Sequence, residues 1–309
     1  MSAADRAGRR PRILLLGADG QLGWELRRAL LPLGELVPMG RAQADLGDAP
    51  ALRALLSGLR PQVVVNAAAY TAVDRAQSEP EAAQRVNAEA PALLADYAAA
   101  SGAWLLHYST DYVFDGSGTR PWREDDEPRP LSVYGSSKLD GERAIRASGC
   151  AHLILRTSWV FAARGANFAR TMVRLAGERD SLRVVADQVG APTSAELIAD
   201  LSALALHRLL REPERARTNA GLYHLSSRGS TSWHGYACHV LEHVARRGMR
   251  LRCEASRVQA IGSADYPVPA PRPANSRLDC QALEAWLGVW LPPWQPQVER
   301  MLDEAFGLG

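Results

Sequence analysis

The sequence predicts an α/β protein with a doubly wound parallel sheet and a second, smaller domain of mixed α/β structure. Over the first half of the 309-residue chain, short apolar runs alternate with longer windows of helical periodicity. The runs at residues 13–16 (ILLL) and 63–65 (VVV) are apolar at every position, which indicates strands covered by helices on both faces. This alternation fades after about Trp159, so we predict a first domain over residues 1–160 and a second mainly over 161–309.

The elements of the first domain are justified by these runs and by the Gly, Pro, Asn and Asp residues that bound them. Strands are predicted at residues 12–17, 35–39, 62–66, 104–109 and 152–158. Helices are predicted between them at 21–31, 49–59, 79–100 and 132–147. The second half has helical windows at 167–176, 195–210, 232–247 and 297–306, with strands at 182–185 and 221–225. We expect the chain to re-enter the first domain around residues 186–220.

The composition excludes several classes of protein. With 47% hydrophobic and 23% charged residues, the chain is neither disordered nor fibrous. A net charge of +2 does not favour a nucleic-acid partner. The basic start is followed by only a short apolar run, so neither a secretory signal nor a membrane partner is expected. Four cysteines without paired spacing are typical of reduced thiols. We therefore expect a cytoplasmic location.

A glycine-rich turn follows the first predicted strand and opens the first helix. Residues 17–23 read GADGQLG, which places glycines at Gly17, Gly20 and Gly23. Such glycines let the backbone approach a pyrophosphate, whose charge is then stabilised by the N-terminus of the helix. The sequence therefore predicts a dinucleotide-binding Rossmann domain at residues 1–160, which leaves substrate binding mainly to residues 161–309.

The end of the second strand bears on which dinucleotide is bound. An acidic residue there would bind the ribose 2′-hydroxyl of NAD, but the sequence reads Met39-Gly40-Arg41. Because Arg41 is suited to a 2′-phosphate, the residues favour NADPH. NADH stays open as an alternative.

A candidate catalytic set surrounds Tyr134. Lys138 follows it at i+4 on the same helix face, and it is the only lysine among the 36 Lys and Arg residues. A tyrosine needs a nearby cation to act as a general acid or base near neutral pH, and Lys138 is spaced to provide it. Thr110, at the carboxyl end of the fourth strand, is the candidate hydrogen-bond donor to a reacting carbonyl.

Together these motifs resemble the extended short-chain dehydrogenase/reductase superfamily. Within it, longer blocks resemble the dTDP-4-dehydrorhamnose reductase family, in an order and spacing that agree from about residue 12 to residue 306. These blocks are residues 66–74, 109–116, 133–138, 156–160, 188–193 and 272–278. The resemblance implies transfer of a hydride from NADPH to C4 of dTDP-4-dehydro-β-L-rhamnose, the last step of dTDP-L-rhamnose synthesis. It also implies a bacterial source and a product used for cell-surface polysaccharide such as the lipopolysaccharide O antigen.

The resemblance assigns roles to matching positions. Tyr134 would protonate the C4 oxygen, Lys138 would lower the pKa of Tyr134 and bind the nicotinamide ribose, and Thr110 would bind the C4 oxygen. The cofactor-binding residues it implies, together with those from the motifs, are Gly17, Gly20, Gln21, Leu22, Gly23, Arg41, Asp45, Leu46, Ala67, Ala68, Ala69, Tyr134 and Lys138. The substrate-binding residues are Thr110, Asp111, Trp159, Arg272, Asn275 and Arg277.

Further expectations come from the resemblance alone. It implies a homodimer, and it implies a Mg²⁺ ion whose carboxylates would come from Glu196 and Glu304. It leaves two alternative functions open: reduction of another nucleotide-linked 4-keto-6-deoxysugar, and a non-catalytic regulatory subunit that binds NADP. Retention of Thr110, Tyr134 and Lys138 favours an enzyme over the regulatory subunit.

Overall fold

The computed structural model describes residues 10–211 and 220–308. Its strands are β1 (Arg12–Leu16), β2 (Glu35–Met39), β3 (Val63–Asn66), β4 (Trp104–Thr110), β5 (Ala151–Thr157), β6 (Val160–Phe161), β7 (Leu182–Val185), β8 (Val189–Gly190), β9 (Thr193–Ser194), β10 (Gly221–His224), β11 (Thr231–Ser232) and β12 (Val258–Ile261). Its helices are α1 (Gln21–Leu30), α2 (Ala49–Leu59), α3 (Val73–Ser78), α4 (Pro80–Gln84), α5 (Ala90–Ser101), α6 (Val133–Ala147), α7 (Phe168–Glu178), α8 (Ala195–Arg211), α9 (Trp233–Arg246), α10 (Gln281–Leu287) and α11 (Trp294–Phe306). Residues 1–9, part of the basic start considered above, lie outside the described residues.

A parallel sheet of six strands forms the centre of the fold, in the order β10-β5-β4-β3-β1-β2. The predicted doubly wound α/β class is therefore confirmed. The strand order reverses between β1 and β3, where Leu16 pairs in register with Asn66. Ligands of such sheets bind at the carboxyl ends of the strands beside this reversal. This places the glycine turn after β1 next to the segment that follows β3.

The central strands are buried on both faces, as their continuous apolar runs predict. Ile13 and Leu15 lie in a core with residues of α1 and α8, whereas Leu14 and Leu16 lie in a core with residues of α2 and α5. All four side chains are fully buried. Because burying one leucine or isoleucine side chain stabilises a fold by about 1.5–3 kcal/mol, this strand alone anchors the sheet strongly.

A separate hydrophobic core is built by the second half of the chain. It joins α7, α9 and α11 through buried residues such as Met172, Tyr236 and Val298, and the strand pair β7–β12 packs on it. By contrast, α8 packs on the first core and β10 extends the main sheet. The division into a dinucleotide domain and a substrate domain stays a prediction.

The helix predicted at residues 79–100 is confirmed, since residues 80–101 are helical throughout, but a π-helical turn at Arg85–Glu89, which was not predicted, separates α4 from α5. Pro91 lacks the N–H that would bond the Asn87 carbonyl, so regular α-helical bonding cannot continue there. Helix α6 also packs tightly here: a Cβ on Gly141 would lie 2.2 Å from the Asn87 carbonyl oxygen. The turn directs the buried Asn87 side chain onto Tyr70 and Ser137.

Other departures from the predicted elements are smaller. Helices α3 and α10 and the short strands β6, β8, β9, β11 and β12 were not predicted, and α11 begins at Trp294 instead of residue 297. Within the described parts of the chain, no helix is both long enough and apolar enough to cross a membrane.

Candidate active site

The glycine turn is held against the end of β3. Gly17 has φ +76°, and a Cβ there would lie 2.6 Å from the Ala68 backbone nitrogen. A Cβ on Gly23 would lie 2.0 Å from the Gly17 carbonyl oxygen, so helix α1 approaches β1 more closely than any side chain permits. A Cβ on Gly20 meets only the Gly17 oxygen, at 3.4 Å. Gly17 and Gly23 therefore allow the tight backbone packing of the turn, whereas there is space beside Gly20.

The start of α1 fits a bound pyrophosphate. The helix has no side-chain cap and no acidic residue in its first turn, so its first N–H groups are free for an anion. Gln21 and Leu22 lie in that turn, half-buried. Ala67, Ala68 and Ala69 follow β3 beside it, also half-buried, and their small side chains leave the backbone approachable. The residues present thus suit a dinucleotide.

The predicted cofactor-binding residues that follow β2 differ in how accessible their side chains are. Arg41 is 87% exposed, and its Nε atom lies 3.6 Å from Asp45 Oδ2. Asp45 also accepts a hydrogen bond from the Gly47 backbone N–H. The Leu46 side chain is buried in the core beneath β1, so it offers a ligand only its backbone. Arg41 and Asp45 are therefore the two side chains of this set that are accessible for recognition.

The predicted catalytic residues come together at the ends of β4 and α6. The Ser132 hydroxyl caps α6 by accepting a hydrogen bond from Gly135 N–H, which places Tyr134 in the first turn and Lys138 one turn later. The Thr110 hydroxyl lies close enough to Tyr134 to lower the pKa of this tyrosine. Thr110 is buried and bonds Asp111 through its hydroxyl, at 3.2 Å. These groups form one cluster.

The electrostatics of this cluster are dominated by burial. Burial is the main reason that the pKa of Tyr134 is raised to about 12. Thr110 lowers this pKa by a smaller amount, and the charge of Asp111 raises it slightly. Burial lowers the pKa of Lys138 to about 8, against an opposing effect of Glu142. Tyr134 is thus a protonated hydroxyl near neutral pH, ready to donate. The predicted lowering of its pKa by Lys138 stays a prediction for the ligand-bound protein.

Sequence reasoning missed two residues around Lys138. The Lys138 Nζ atom lies 2.7 Å from the Tyr108 carbonyl oxygen and 3.1 Å from His107 Nε2. The other ring nitrogen of His107 lies 3.1 Å from the Asn66 side-chain amide. His107 and Asn66 are register partners on β4 and β3, and both are 1% exposed. The available signal was polar residues inside otherwise apolar buried strands.

Asp111 links the catalytic cluster to the predicted substrate segment. It is 3% exposed, its Oδ1 atom accepts a hydrogen bond from the Thr110 hydroxyl at 3.2 Å, and Ser276 lies close enough to lower its pKa. Burial raises its pKa to about 7, more than these contacts lower it. Its Oδ2 atom is buried and has no hydrogen-bond partner among the residues that the structure describes. Because such an atom is costly to leave unpaired, it suits a hydroxyl group of a ligand.

The segment that carries Arg272, Asn275 and Arg277 runs past this aspartate. Arg272 donates to Asp74 at 2.8 Å, and its Nη1 atom is buried without a hydrogen-bond partner in the described part of the chain. Asn275 is buried, and its side chain bonds the Arg277 guanidinium and the Arg120 carbonyl. Asn275 therefore positions Arg277, whereas Arg272 retains a donor for an anionic ligand.

Trp159 follows the carboxyl end of β5 in a strained backbone conformation, with φ +49°. Its ring stacks on Trp233, with ring centroids 3.5 Å apart. Sequence reasoning singled out Trp159 and missed Trp233, which lies at the start of α9.

The structure does not support the expected Mg²⁺ site. Glu196 forms an ion pair with Arg300 at 3.0 Å, and both Glu196 and Glu304 contribute to raising the pKa of Glu25, after the larger effect of burial. No group of three or more His, Cys, Asp or Glu residues is arranged to hold a metal ion within residues 10–211 and 220–308.

Comparisons with known proteins agree with this arrangement. Residues 11–306 match the family described as RmlD substrate binding domain. The chain is 48% identical over 298 residues to a dTDP-4-dehydrorhamnose reductase of Shigella flexneri, covering 95% of this chain and 98% of that protein. A relative of the same name from Burkholderia thailandensis is 48% identical over 284 residues, covering 92% and 95% of the two chains. The solved dTDP-4-dehydrorhamnose reductase of Bacillus anthracis in complex with NADP has a TM-score of 0.84 and 30% identity, covering 96% of this chain and 99% of that one.

The sheet, the glycine turn and the Thr-Tyr-Lys set define an oxidoreductase of the extended short-chain dehydrogenase/reductase class. Within that class, the chain belongs to the dTDP-4-dehydrorhamnose reductase family.

Proposed function

We propose that this protein reduces the C4 carbonyl of dTDP-4-dehydro-β-L-rhamnose to give dTDP-L-rhamnose, with NADPH as the hydride donor. The observation that carries the proposal is that Thr110, at the carboxyl end of β4, lies close enough to Tyr134 to lower its pKa, while Lys138 follows Tyr134 by one turn of α6. The names of the relatives support the substrate, and the NADP complex of the Bacillus anthracis relative supports the cofactor.

In this reaction NADPH supplies the hydride, and the protein supplies the proton. Tyr134 holds its hydroxyl proton until a carbonyl oxygen gains charge, because burial raises the pKa of Tyr134 to about 12. Thr110 would donate its own hydroxyl proton in a second hydrogen bond to the same carbonyl oxygen. A charged Lys138 stabilises the phenolate that remains on Tyr134. General acid catalysis of this kind contributes about 10²–10⁴-fold to a rate.

The substrate residues divide between the sugar and the diphosphate. The unpaired Oδ2 atom of Asp111 would accept a hydrogen bond from a sugar hydroxyl. Trp159 would pack against the deoxysugar ring with the face that Trp233 leaves free. Arg272 and Arg277 would bind the diphosphate, because guanidinium groups match phosphate oxygens in geometry and charge. Asn275 would keep Arg277 in place.

Several finer statements belong to the same proposal. We propose NADPH as the preferred donor, because the exposed Arg41 is suited to its 2′-phosphate. We place the reaction in the cytoplasm, which agrees with four free cysteines. A homodimer is also proposed, and sedimentation velocity of the purified chain tests it.

The first experiment follows NADPH oxidation with enzymatically generated dTDP-4-dehydro-L-rhamnose. NADH and a UDP-linked analogue are run in parallel, and Tyr134→Phe is compared with the wild type. Tyr97→Phe is the matched control, because the Tyr97 hydroxyl bonds the Pro61 carbonyl away from the site. We expect rapid turnover with the thymidine sugar and a loss of about 10²-fold or more in Tyr134→Phe alone.

Two outcomes would contradict the proposal. Turnover only with the UDP-linked sugar would assign a different 4-keto-6-deoxysugar as substrate. No oxidation of either cofactor, by a folded chain that still binds NADPH, would favour the non-catalytic regulatory subunit.

A further inference from the structure

A buried chain of three polar side chains, Asn66, His107 and Lys138, runs from β3 through β4 to α6. Their side chains are 1–2% exposed, and successive polar atoms are 3.1 Å apart. Because the chain is closed off from water, each hydrogen bond within it needs one donor and one acceptor. This requirement fixes where the protons lie.

The first proton assignment is at Asn66. The Ala68 backbone N–H donates to Asn66 Oδ1 at 3.2 Å, so this oxygen faces Ala68 and the amide nitrogen Nδ2 faces His107. An amide nitrogen only donates. The facing His107 Nδ1 atom must therefore accept, which means that it carries no proton.

The second assignment follows at His107. Burial, followed by the effect of Lys138, lowers the pKa of His107 well below its ordinary value, so the ring is neutral. A neutral imidazole has one N–H group, and because Nδ1 is unprotonated the proton is on Nε2. This N–H points at Lys138 Nζ, 3.1 Å away.

The third assignment concerns Lys138 itself. An ammonium group has three donors and no acceptor, so it cannot accept the hydrogen bond from His107. An uncharged amine can, because its lone pair accepts from His107 while one of its N–H groups donates to the Tyr108 carbonyl at 2.7 Å. All of these hydrogen bonds are satisfied together only when Lys138 is neutral, so the arrangement favours the amine over the ammonium form.

We propose that His107, fixed by Asn66 with its proton on Nε2, is a positioning residue that favours the uncharged amine of Lys138, so that dinucleotide binding draws protons from solvent onto this lysine. The phosphate charges of the dinucleotide favour the ammonium form. The charged Lys138 then stabilises the Tyr134 phenolate left by proton donation. This inference rests on the proposed function only for the identity of the ligand and of the reacting tyrosine.

Other charged or titratable groups face this chain. Glu142 lies one turn after Lys138 on α6 and favours the charged amine, but it is paired with Arg156 on β5 at 2.6 Å. Tyr134 and Asp111 belong to the neighbouring catalytic cluster, in which Tyr134 is protonated and burial raises the pKa of Asp111 to about 7. Below that pH Asp111 is uncharged, so Glu142 is the carboxylate that acts on Lys138 there.

The test uses the fact that Lys138 is the only lysine in the sequence. Labelling the protein with ¹³C-lysine gives one side-chain signal, whose shift is followed against pH in the wild type without ligand. We expect a midpoint near pH 8, compared with about 10.4 for an ordinary lysine. Adding NADP⁺ should move the midpoint upward, and calorimetry at pH 8 in buffers of different ionisation enthalpy should show uptake of about half a proton per chain.

Asn66→Asp tests the tautomer directly, because a carboxylate replaces the amide donor with an acceptor. The proton of His107 then moves to Nδ1, the bare Nε2 accepts from an ammonium, and the Lys138 midpoint should rise by at least about one pH unit. Proton uptake on NADP⁺ binding should be lost. The double variant Asn66→Asp/His107→Phe keeps the new charge but removes the imidazole, and we expect most of the rise to disappear. Thermal melting checks that each variant folds.

¹⁵N-histidine spectra provide a readout that a purely structural role would not change. We expect Nε2 protonated and Nδ1 bare for His107 in the wild type, and the reverse in Asn66→Asp. A protonated Nδ1 in the wild type, a midpoint near 10.4, or an equal rise in the double variant would each overturn the proposal. A protein that passes these tests without reducing the sugar would contradict the proposed function and leave this inference intact.

Discussion

The indole rings of Trp159 and Trp233 stack face to face, with centroids 3.5 Å apart and planes inclined by 11°. Trp159 has φ +49°, a conformation that bulky residues rarely adopt. On its edge, a Cβ at Gly190 would come within 2.6 Å of the ring. Trp233 therefore covers one face of Trp159, and Gly190 makes room for the ring at its edge.

Trp233→Leu should weaken sugar binding more than it slows the chemical step. An aromatic stack of this kind is worth about 0.5–1.5 kcal/mol, so we expect KM for the sugar to rise about three- to tenfold with a smaller change in kcat. Steady-state kinetics at saturating NADPH measure both constants. Trp290→Leu is the control, because Trp290 is 82% exposed and should leave KM unchanged. A Trp233→Leu protein that is less stable but has wild-type KM would contradict the role assigned to the stack.

A buried ion pair beneath the site should be critical for stability. Arg156 on β5 donates two hydrogen bonds to Glu142 on α6, at 2.9 and 2.6 Å, and the side chains are only 2% and 1% exposed. Glu142→Gln leaves the arginine charge buried and unpaired, so we expect a loss of about 3–5 kcal/mol in the free energy of unfolding. Urea denaturation measures it.

The matched control is an exposed pair of the same two residue types. Arg174 and Glu178 pair at 3.0 Å with side chains 60% and 54% exposed. Glu178→Gln should cost no more than about 0.5 kcal/mol. Equal losses in both variants would show that burial does not govern the strength of the Arg156–Glu142 pair.

The main sheet is predictable from sequence because a strand buried on both faces is apolar at consecutive positions. Residues 13–16 are apolar at every position, and the structure buries them alternately in two different cores. The π-helical turn between α4 and α5 cannot be recognised from such a local pattern. At this turn the Asn87 carbonyl closely approaches Gly141, a contact between segments that lie far apart in sequence.

In the site, too, contacts within one element are predictable from sequence, and contacts between distant elements are not. The spacing of Tyr134 and Lys138 is local, and one helical turn brings both to the site. His107 and Asn66 become partners only through the pairing of β3 with β4, so sequence alone did not connect either residue with Lys138. Trp233 was missed for the same reason, because only the folded chain brings α9 against Trp159.

Asp111 should make stability depend on pH. Burial raises its folded-state pKa to about 7, above about 3.9 in an unfolded chain, so the folded protein retains a proton that the unfolded one loses. Its contribution to stability is therefore full below about pH 4 and declines as pH rises toward 7. Between pH 5 and pH 8, the wild type should lose about 2–3 kcal/mol more than Asp111→Asn.

Urea denaturation at the two pH values measures this difference in the free energy of unfolding. Asp180→Asn serves as the control, because its side chain is 72% exposed and it should retain the pH dependence of the wild type. Parallel pH profiles for the wild type and Asp111→Asn would contradict a buried, protonated Asp111.

Arg41 should determine the preference for NADPH. Its side chain is 87% exposed and tethered only loosely to Asp45, at 3.6 Å, so it is free to bind a 2′-phosphate at the end of β2. A hydrogen bond to a charged group is worth about 1.5–3 kcal/mol, so Arg41→Ala should weaken NADPH binding about tenfold or more. NADH lacks the 2′-phosphate and should bind as before.

Fluorescence titration measures both dissociation constants. Arg53→Ala on α2 is the control, because it removes the same charge from an exposed position nearby in sequence. An equal weakening of NADPH and NADH by Arg41→Ala would show that Arg41 acts on the dinucleotide as a whole and not on its 2′-phosphate.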